Sequence, residues 1–204
     1  MKKEHTSLKD IHLQKKSKTI VDRYCLTIGT VYSRNVLDYG CGCGHGSALM
    51  VAYGADYVYG YDKNTQAIAE ANFNYKDKIN NLKFTNNFDK LPKDFFNFIS
   101  CFEVIEHIEP NKLKETLKKL HGLMKPGGVM MVTTPIINRY SEENNEGHHT
   151  LFTPEGITKF FRELFNEKVI FGSTIEMKLP LFYSTFISKK LEKYSNCYFL
   201  IIEK

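Results

Sequence analysis

Short apolar runs alternate along the chain with longer segments in which apolar residues recur at helical spacing. The short runs have the length and the content of β-branched and aromatic residues that are typical of strands. The pattern predicts strands over residues 35–39, 57–61, 82–85, 96–102 and 128–133, and a late hairpin-like pair over 168–172 and 197–203.

Helices are predicted before and between these strands, over residues 8–27, 46–53, 65–74, 111–123 and 154–165. Thr153 is a candidate N-cap of the last of them, because Pro154 then takes the first helical position, where its missing N–H is tolerated. Strands that alternate with helices of this length imply a parallel sheet with helices on both faces. The fold class is therefore α/β, with a doubly wound sheet.

Length and charge fit one α/β domain. A chain of 204 residues is long enough to bury one good core and too short for two. The net charge of +5 comes from 28 basic and 23 acidic residues that are spread along the chain. This modest excess neither requires nor excludes a nucleic acid partner.

Cysteine usage and hydropathy bear on the compartment. The five cysteines are an odd number, and Cys41 and Cys43 lie in one glycine-rich turn, so they do not form a disulfide framework. No apolar run approaches the ~18 residues of a membrane helix, and the first residues lack the apolar stretch of a signal peptide. We expect a cytoplasmic protein without a transmembrane segment.

A glycine-rich turn follows the first predicted strand and is the strongest candidate for a ligand site. After Asp38 the chain reads D-x-G-x-G-x-G, and the glycines of this turn are Gly40, Gly42, Gly44 and Gly46. Glycines permit positive φ and let a ligand approach the backbone. Neither register gives the dinucleotide pattern G-x-G-x-x-G, and no Gly-Lys-Ser or Gly-Lys-Thr of a P-loop follows. The turn predicts a site for another nucleotide-like cofactor.

An acidic residue ends the second predicted strand. Asp62 lies about 20 residues beyond the turn, the offset at which a carboxylate reaches a ribose diol in doubly wound sheets. Asp62 can also cap the helix that begins near Thr65, and both roles are compatible.

A second polar cluster follows the fourth strand. If the chain coils after Phe102, then Glu103, Glu106 and His107 share one face of a helical turn. Two carboxylates and an imidazole that converge can hold a divalent cation. Since ligands of open α/β sheets bind at the carboxyl ends of the strands, we expect this cluster to face the cofactor.

The segment from Asp38 to Gly44 resembles the first motif of the class I S-adenosylmethionine-dependent methyltransferases. The resemblance covers nearly the whole chain and implies a Rossmann-like sheet of seven strands with the last antiparallel. It also implies that the acidic residue faces the methionine end of the cofactor and that Asn86 or Asn87 meets the adenine amine. The implied cofactor-binding set is Asp38, Gly40, Cys41, Gly42, Gly44, Asp62, Lys63, Asn87 and Phe102.

The spacing E-x-x-E-H resembles a metal motif of two methyltransferase groups, the ubiquinone-pathway O-methyltransferases and the small-RNA 3′-terminal 2′-O-methyltransferases. In both groups it implies a divalent cation such as magnesium or manganese that activates a substrate hydroxyl. Glu-His at this position also occurs in class I methyltransferases that use no metal, where it shapes the pocket.

A further histidine belongs to the same expectation. The segment Phe152-Thr153-Pro154-Glu155 resembles one found in sugar- and glycan-modifying methyltransferases, where a histidine precedes it. By that register His148 is the match, with His149 as the alternative. The expected metal ligands are Glu103, Glu106, His107 and His148, and the expected catalytic residues are His107, Glu103 and His148.

These expectations combine into one functional hypothesis. We expect a single methyltransferase domain over residues 1–204, with an N-terminal helical cap over 1–30, a cofactor-binding half over 35–134 and a substrate-side half over 135–204. The acceptor is expected to be a hydroxyl of a small molecule or glycan, because a hydroxyl needs a base or a metal. The alternatives are an RNA 2′-O-methyltransferase, an N-methyltransferase and a non-catalytic module that binds S-adenosylmethionine.

Overall fold

A computed structural model of the chain describes residues 21, 23–135, 147–165, 169–174 and 197–204. Residues up to 20 of the predicted N-terminal helix lie outside these ranges, as does most of the loop after the fifth strand. In chain order the regular elements are β1 (Asn35–Tyr39), α1 (His45–Ala52), β2 (Tyr57–Tyr61), α2 (Thr65–Tyr75), β3 (Leu82–Thr85), β4 (Phe96–Phe102), α3 (Pro110–Leu123), β5 (Met124–Pro135), α4 (Pro154–Phe165), β6 (Val169–Thr174) and β7 (Cys197–Glu203).

The strands form a seven-stranded sheet in the order β3-β2-β1-β4-β5-β7-β6. β1 pairs in parallel with β2 and β4, and β2 pairs in parallel with β3. β7 is antiparallel to both β5 and β6. This confirms the predicted α/β class, the mostly parallel sheet and the antiparallel last strand.

The described residues group into two compact units. The first contains those up to Ser100 together with Leu123–Lys125. Strand residues such as Val36 and Phe98 are fully buried. The buried residues of α2 are Ala67, Ile68 and Ala71, which lie on one face of the helix. Three apolar residues at i, i+1 and i+4 make the stripe by which a helix packs on a sheet.

The second unit contains Cys101–Gly122 and the described residues from Pro126 onward. Its helix α3 buries leucines at helical spacing, among them Leu113, Leu117 and Leu120. At the start of α4 the Thr153 hydroxyl accepts a hydrogen bond of 3.1 Å from the Gly156 N–H, which confirms the predicted N-cap. No helix among the described residues is long and apolar enough to cross a bilayer.

One boundary differs clearly from the sequence prediction. β5 begins at Met124, whereas the predicted strand begins at residue 128. The earlier start reflects pairing with Lys204: the Gly127 N–H donates to the Lys204 carbonyl at 2.8 Å, and the Lys204 N–H donates to the Gly128 carbonyl at 3.0 Å. A partner so distant in sequence leaves no local signal.

Candidate functional site

The glycine-rich turn between β1 and α1 has the backbone that its sequence requires. Gly40, Gly42 and Gly44 have φ angles of 83°, 53° and 84°, all in the left-handed region. An L-residue with a side chain is strained there, typically by about 1–2 kcal/mol, whereas glycine is not. The prediction that these glycines serve backbone conformation is confirmed.

The same glycines differ in what a side chain would meet. A Cβ on Gly44 would overlap the ring of Phe84, and one on Gly46 would overlap the ring of Tyr24, so these two glycines permit close internal packing. A Cβ on Gly42 would meet no atom of the described residues within 4 Å beyond its chain neighbours. Gly42 is therefore the point of the turn where a ligand can approach the backbone.

Asp62 is tied directly to that point. Its Oδ2 accepts a hydrogen bond of 2.9 Å from the Gly42 N–H, and its Oδ1 accepts one of 2.8 Å from the Asn64 N–H. A carboxylate has about four lone-pair positions, so two N–H donors leave capacity for ligand hydroxyls. The N-cap of α2 is Asn64, whose Oδ1 accepts from the Gln66 and Ala67 N–H groups, and the alternative of Asp62 as the cap is wrong.

Asp38, at the end of β1, is buried and accepts three hydrogen bonds. Its side chain is only 1% exposed. Tyr24 and Ser100 donate hydroxyl hydrogen bonds of 2.9 and 2.8 Å to Oδ1, and Ser47 donates one of 2.6 Å to Oδ2. Burial raises the pKa of Asp38, although the three hydroxyls oppose that shift. The buried carboxylate thus links β1 to β4 through Ser100, to α1 through Ser47, and to Tyr24.

The three donors to Asp38 were not among the residues predicted from the sequence. Ser100 pairs with Asp38 across β1 and β4, so the strand register could have indicated it. Ser47 lies on α1, nine residues after Asp38. Tyr24 precedes the sheet and has no local signal, because its contact depends on the tertiary fold.

The other predicted cofactor residues are in varied settings. Cys41 is buried, and burial raises the pKa of its thiol well above the usual range. The Asn87 Oδ1 accepts a hydrogen bond of 3.0 Å from the Asp89 N–H and caps the short 3₁₀ turn at Phe88–Lys90. The Asn86 Nδ2 donates to Thr65 Oγ1 at 3.1 Å. Lys63 is exposed. In the second unit Phe102 is buried at the end of β4.

An aromatic cluster at the ends of β1 and β2 was not predicted. The rings of Tyr39 and Tyr61 stack with centroids 5.1 Å apart, and Phe88 meets the Tyr61 ring edge-on at 5.6 Å. All three side chains are half-buried. The cluster joins the residues that immediately precede Gly40 and Asp62.

In the second unit the chain leaves β4 through a left-handed residue. Glu103 has φ of 54°, and its N–H donates to both the carbonyl and the hydroxyl of Thr133. A 3₁₀ turn then covers Ile105–His107. The expectation that Glu103 shares a helical face with Glu106 and His107 is wrong, because a left-handed residue interrupts any right-handed turn.

Three of the four predicted metal ligands come together. Ligand atoms of Glu106, His107 and His148 all lie within 4.8 Å of one another. Glu106 is only 1% exposed, and its Oε2 accepts a hydrogen bond of 3.1 Å from Thr134 Oγ1. Glu103 is outside this group, and its Oε1 accepts one of 2.9 Å from Thr133 Oγ1. We call Glu106, His107 and His148 the acid–histidine group.

The tautomer of His107 follows from its partner. Its Nδ1 lies 2.9 Å from the Gly147 carbonyl oxygen, which can only accept, so Nδ1 carries the proton in the neutral ring. The lone pair is then on Nε2, the atom available to a metal or to a proton. The ring centroids of His107 and His148 are 4.9 Å apart, and the angle between the ring planes is 69°.

The backbone of Glu106 fixes the segment that carries His148. Its carbonyl accepts hydrogen bonds of 2.7 Å from the His149 N–H and 3.0 Å from the Thr150 N–H. The Thr150 hydroxyl donates to the Ile108 carbonyl at 2.7 Å. These bonds bring the side chain of His148 into the group, whereas that of His149 is exposed. Of the two histidines left open by the sequence, His148 is the one in the group.

A doubly wound sheet with a glycine-rich turn after β1 and an acidic residue at the end of β2 is typical of proteins that bind a nucleotide-like cofactor. Residues 11–165 match a family model described as a methyltransferase domain. The match covers about three quarters of the chain, and the chain therefore belongs to the methyltransferase domain family.

Individual relatives agree with this assignment. A ubiquinone biosynthesis O-methyltransferase of Coxiella burnetii is 32% identical over 114 residues, which are 54% of this chain and 46% of the relative. The chain thus spans less than half the length of that curated relative. A SAM-dependent methyltransferase from Archaeoglobus fulgidus has a similar structure, with a TM-score of 0.69 and 22% identity over 93% of this chain and 94% of the other.

A third similarity is to a chain in the structure of the Pnkp1/Rnl/Hen1 RNA repair complex. It has a TM-score of 0.66 and 18% identity over 91% of this chain and 42% of that chain. At these identities the structural similarities establish the shared fold. They agree with the family match, which assigns the chain to the methyltransferase domain family.

Proposed function

We propose that this methyltransferase acts on a hydroxyl of a small molecule or glycan. The observation that carries the proposal is the acid–histidine group, in which a buried carboxylate and two imidazoles have ligand atoms within 4.8 Å of one another. An unprotonated amine is already a good nucleophile, whereas a neutral hydroxyl is a weak one and needs a base or a metal to remove its proton. A group of this kind therefore supports an oxygen acceptor.

The cofactor side of the proposal rests on the glycine turn. S-adenosylmethionine supplies an electrophilic methyl group when bound. There is open space beside Gly42, whose backbone conformation would be strained in a residue with a side chain. The Asp62 carboxylate accepts a hydrogen bond from the Gly42 N–H and has further lone pairs that can accept from ribose hydroxyls. We assign Gly42 and Asp62 to direct cofactor contact, and Asp38 to holding the turn through Tyr24, Ser47 and Ser100.

The acceptor side rests on His107. Its Nδ1–H is committed to the Gly147 carbonyl, so its Nε2 lone pair can take the proton of an acceptor hydroxyl. Methyl transfer then requires that the chain hold the acceptor oxygen in line with the methyl group.

A divalent cation gives a second form of the proposal, in which the Nε2 lone pair of His107 binds the ion and does not take the acceptor proton. The acid–histidine group fits one, since it offers one carboxylate oxygen and two imidazole nitrogens from a partly buried position. Two imidazoles favour manganese over magnesium, which prefers oxygen ligands. Glu106, His107 and His148 would hold the ion, and its role would be to lower the pKa of an acceptor hydroxyl.

Substitutions at the group test this proposal. With a catechol or a monosaccharide as acceptor, we expect Glu106→Ala and His107→Ala to lose methyl transfer by about 100-fold or more, the usual contribution of a general base. His149→Ala is the matched control, because its side chain is exposed and outside the group. We also expect a chelator to abolish transfer and added manganese to restore it. Full activity in both variants would refute the proposal.

An RNA 2′-hydroxyl is the second candidate acceptor. The same acid–histidine group could serve a ribose hydroxyl, and one structural neighbour is part of an RNA repair complex. RNA binding would need phosphate contacts, so the affinity for a short RNA would fall steeply as salt is raised. RNA affinity that does not change between low and high salt would eliminate this candidate.

A further inference from the structure

Two consecutive threonines at the end of β5 each hold one carboxylate of the E-x-x-E-H segment. Thr133 Oγ1 donates to Glu103 Oε1 at 2.9 Å, and Thr134 Oγ1 donates to Glu106 Oε2 at 3.1 Å. Both threonines are buried to about the same degree, each 1% exposed. The two acidic residues are therefore fixed by separate donors.

The strand geometry keeps the two carboxylates apart. Successive side chains of a strand point to opposite faces of the sheet, so Thr133 and Thr134 direct their hydroxyls to different sides of β5. Glu103 lies beside Thr133, because its backbone N–H also donates to that residue, which fixes its left-handed backbone. Glu106 is bound by Thr134 and lies near the two histidines.

We propose that Thr134 is the positioning residue of the cation centre and that Thr133 keeps Glu103 out of it, so that the centre has three protein ligands. This inference rests on the cation proposed above. The Thr134 hydroxyl fixes the Glu106 carboxylate through Oε2, and a ligand atom of this carboxylate lies within 4.8 Å of ligand atoms of His107 and His148.

A neutral donor suits this position. A lysine or arginine at the same place would neutralise the carboxylate and compete with a cation, whereas a hydroxyl orients the carboxylate and preserves its charge. Without the hydroxyl, the buried Oε2 of Glu106 would lose this donor, and the carboxylate could turn to other rotamers. That loss of orientation reduces affinity for a metal.

The test is a manganese titration followed by the electron paramagnetic resonance signal of the free ion. We expect Thr134→Val to weaken manganese binding by about 10–100-fold, the usual effect of removing such a partner, and Thr134→Ser to restore it. Thr133→Val is the matched control, since it removes the neighbouring hydroxyl from Glu103 alone. It should bind manganese as the unaltered chain does, and so should Glu103→Gln. Circular dichroism of each variant checks that it is folded.

The outcomes separate this inference from the proposal beneath it. If the unaltered chain binds manganese and Glu106→Ala does not, the cation proposal holds, and equal affinities of Thr134→Val and the unaltered chain would then overturn the role of Thr134. A loss in Glu103→Gln as large as that in Glu106→Ala would overturn the three-ligand centre. If the unaltered chain binds no manganese, both proposals fall together.

Discussion

Asp38 shows how the place of a residue can be predicted while its hydrogen-bond partners are not. Its place at the end of β1, before alternating glycines, pointed to the cofactor site. The structure puts its carboxylate inside the protein, where three hydroxyls bind it. The sequence could locate the acid, and the strand register could have indicated Ser100, but Tyr24 reaches Asp38 only through the tertiary fold.

This burial has a measurable pH dependence. The folded-state pKa of Asp38 is raised above the usual 3.8, mainly by burial, so the folded protein holds this proton more tightly than the unfolded chain does. The resulting stabilisation is complete below pH 3.8 and is lost as the pH rises through the folded-state pKa. We expect the free energy of unfolding of the natural chain, minus that of Asp38→Asn, to decrease over this window in urea titrations.

Tyr24→Phe provides the matched variant for that experiment. The Tyr24 hydrogen bond lowers the Asp38 pKa, so its removal should move the loss of stability to higher pH. The variant should also unfold about 1–3 kcal/mol more easily at neutral pH, because a buried carboxylate loses a donor. A stability difference between the natural chain and Asp38→Asn that increases with pH would contradict this account.

At the scale of elements, local pattern predicted most of the fold. The bounds of α1, α2, α3 and α4 agree with the predictions to within one residue. The helices were predictable because apolar spacing and the Thr153 cap are local. The exit from β4 was not, since the left-handed Glu103 depends on Thr133, a residue 30 positions away.

The β1–α1 turn offers a test at this scale. Gly42→Ala and Gly127→Ala both place a side chain on a left-handed residue, with φ of 53° and 74°, and both put a Cβ where no atom of the described residues beyond the chain neighbours lies within 4 Å. Each should therefore cost a similar ~1–2 kcal/mol of stability. Only Gly42→Ala should also lose affinity for S-adenosylhomocysteine. Calorimetric binding and urea titrations of both variants make the comparison.

The control decides how the result is interpreted. Equal losses of cofactor affinity in the two variants would mean that Gly42 acts through general stability and has no ligand contact. Unchanged affinity in Gly42→Ala would mean that the cofactor approaches the turn elsewhere.

At the scale of the whole molecule, the family and the class of chemistry were predictable from a few short motifs. The glycine turn, Asp62 and the E-x-x-E-H segment are contiguous or regularly spaced, so their residue types were visible in the sequence. The division of the acidic residues between Thr133 and Thr134 was not visible, because it depends on which face of β5 each threonine takes. The acceptor depends on further such long-range contacts.

The most direct test of the account is a calorimetric titration of the purified chain with S-adenosylhomocysteine, with NAD titrated in parallel. The glycine turn lacks the dinucleotide pattern. The Asp62 carboxylate is hydrogen-bonded to the Gly42 N–H and has lone pairs that can accept from ribose hydroxyls. We therefore expect S-adenosylhomocysteine to bind at one site per chain and NAD to give no binding heat. Binding of NAD without binding of S-adenosylhomocysteine would contradict the account.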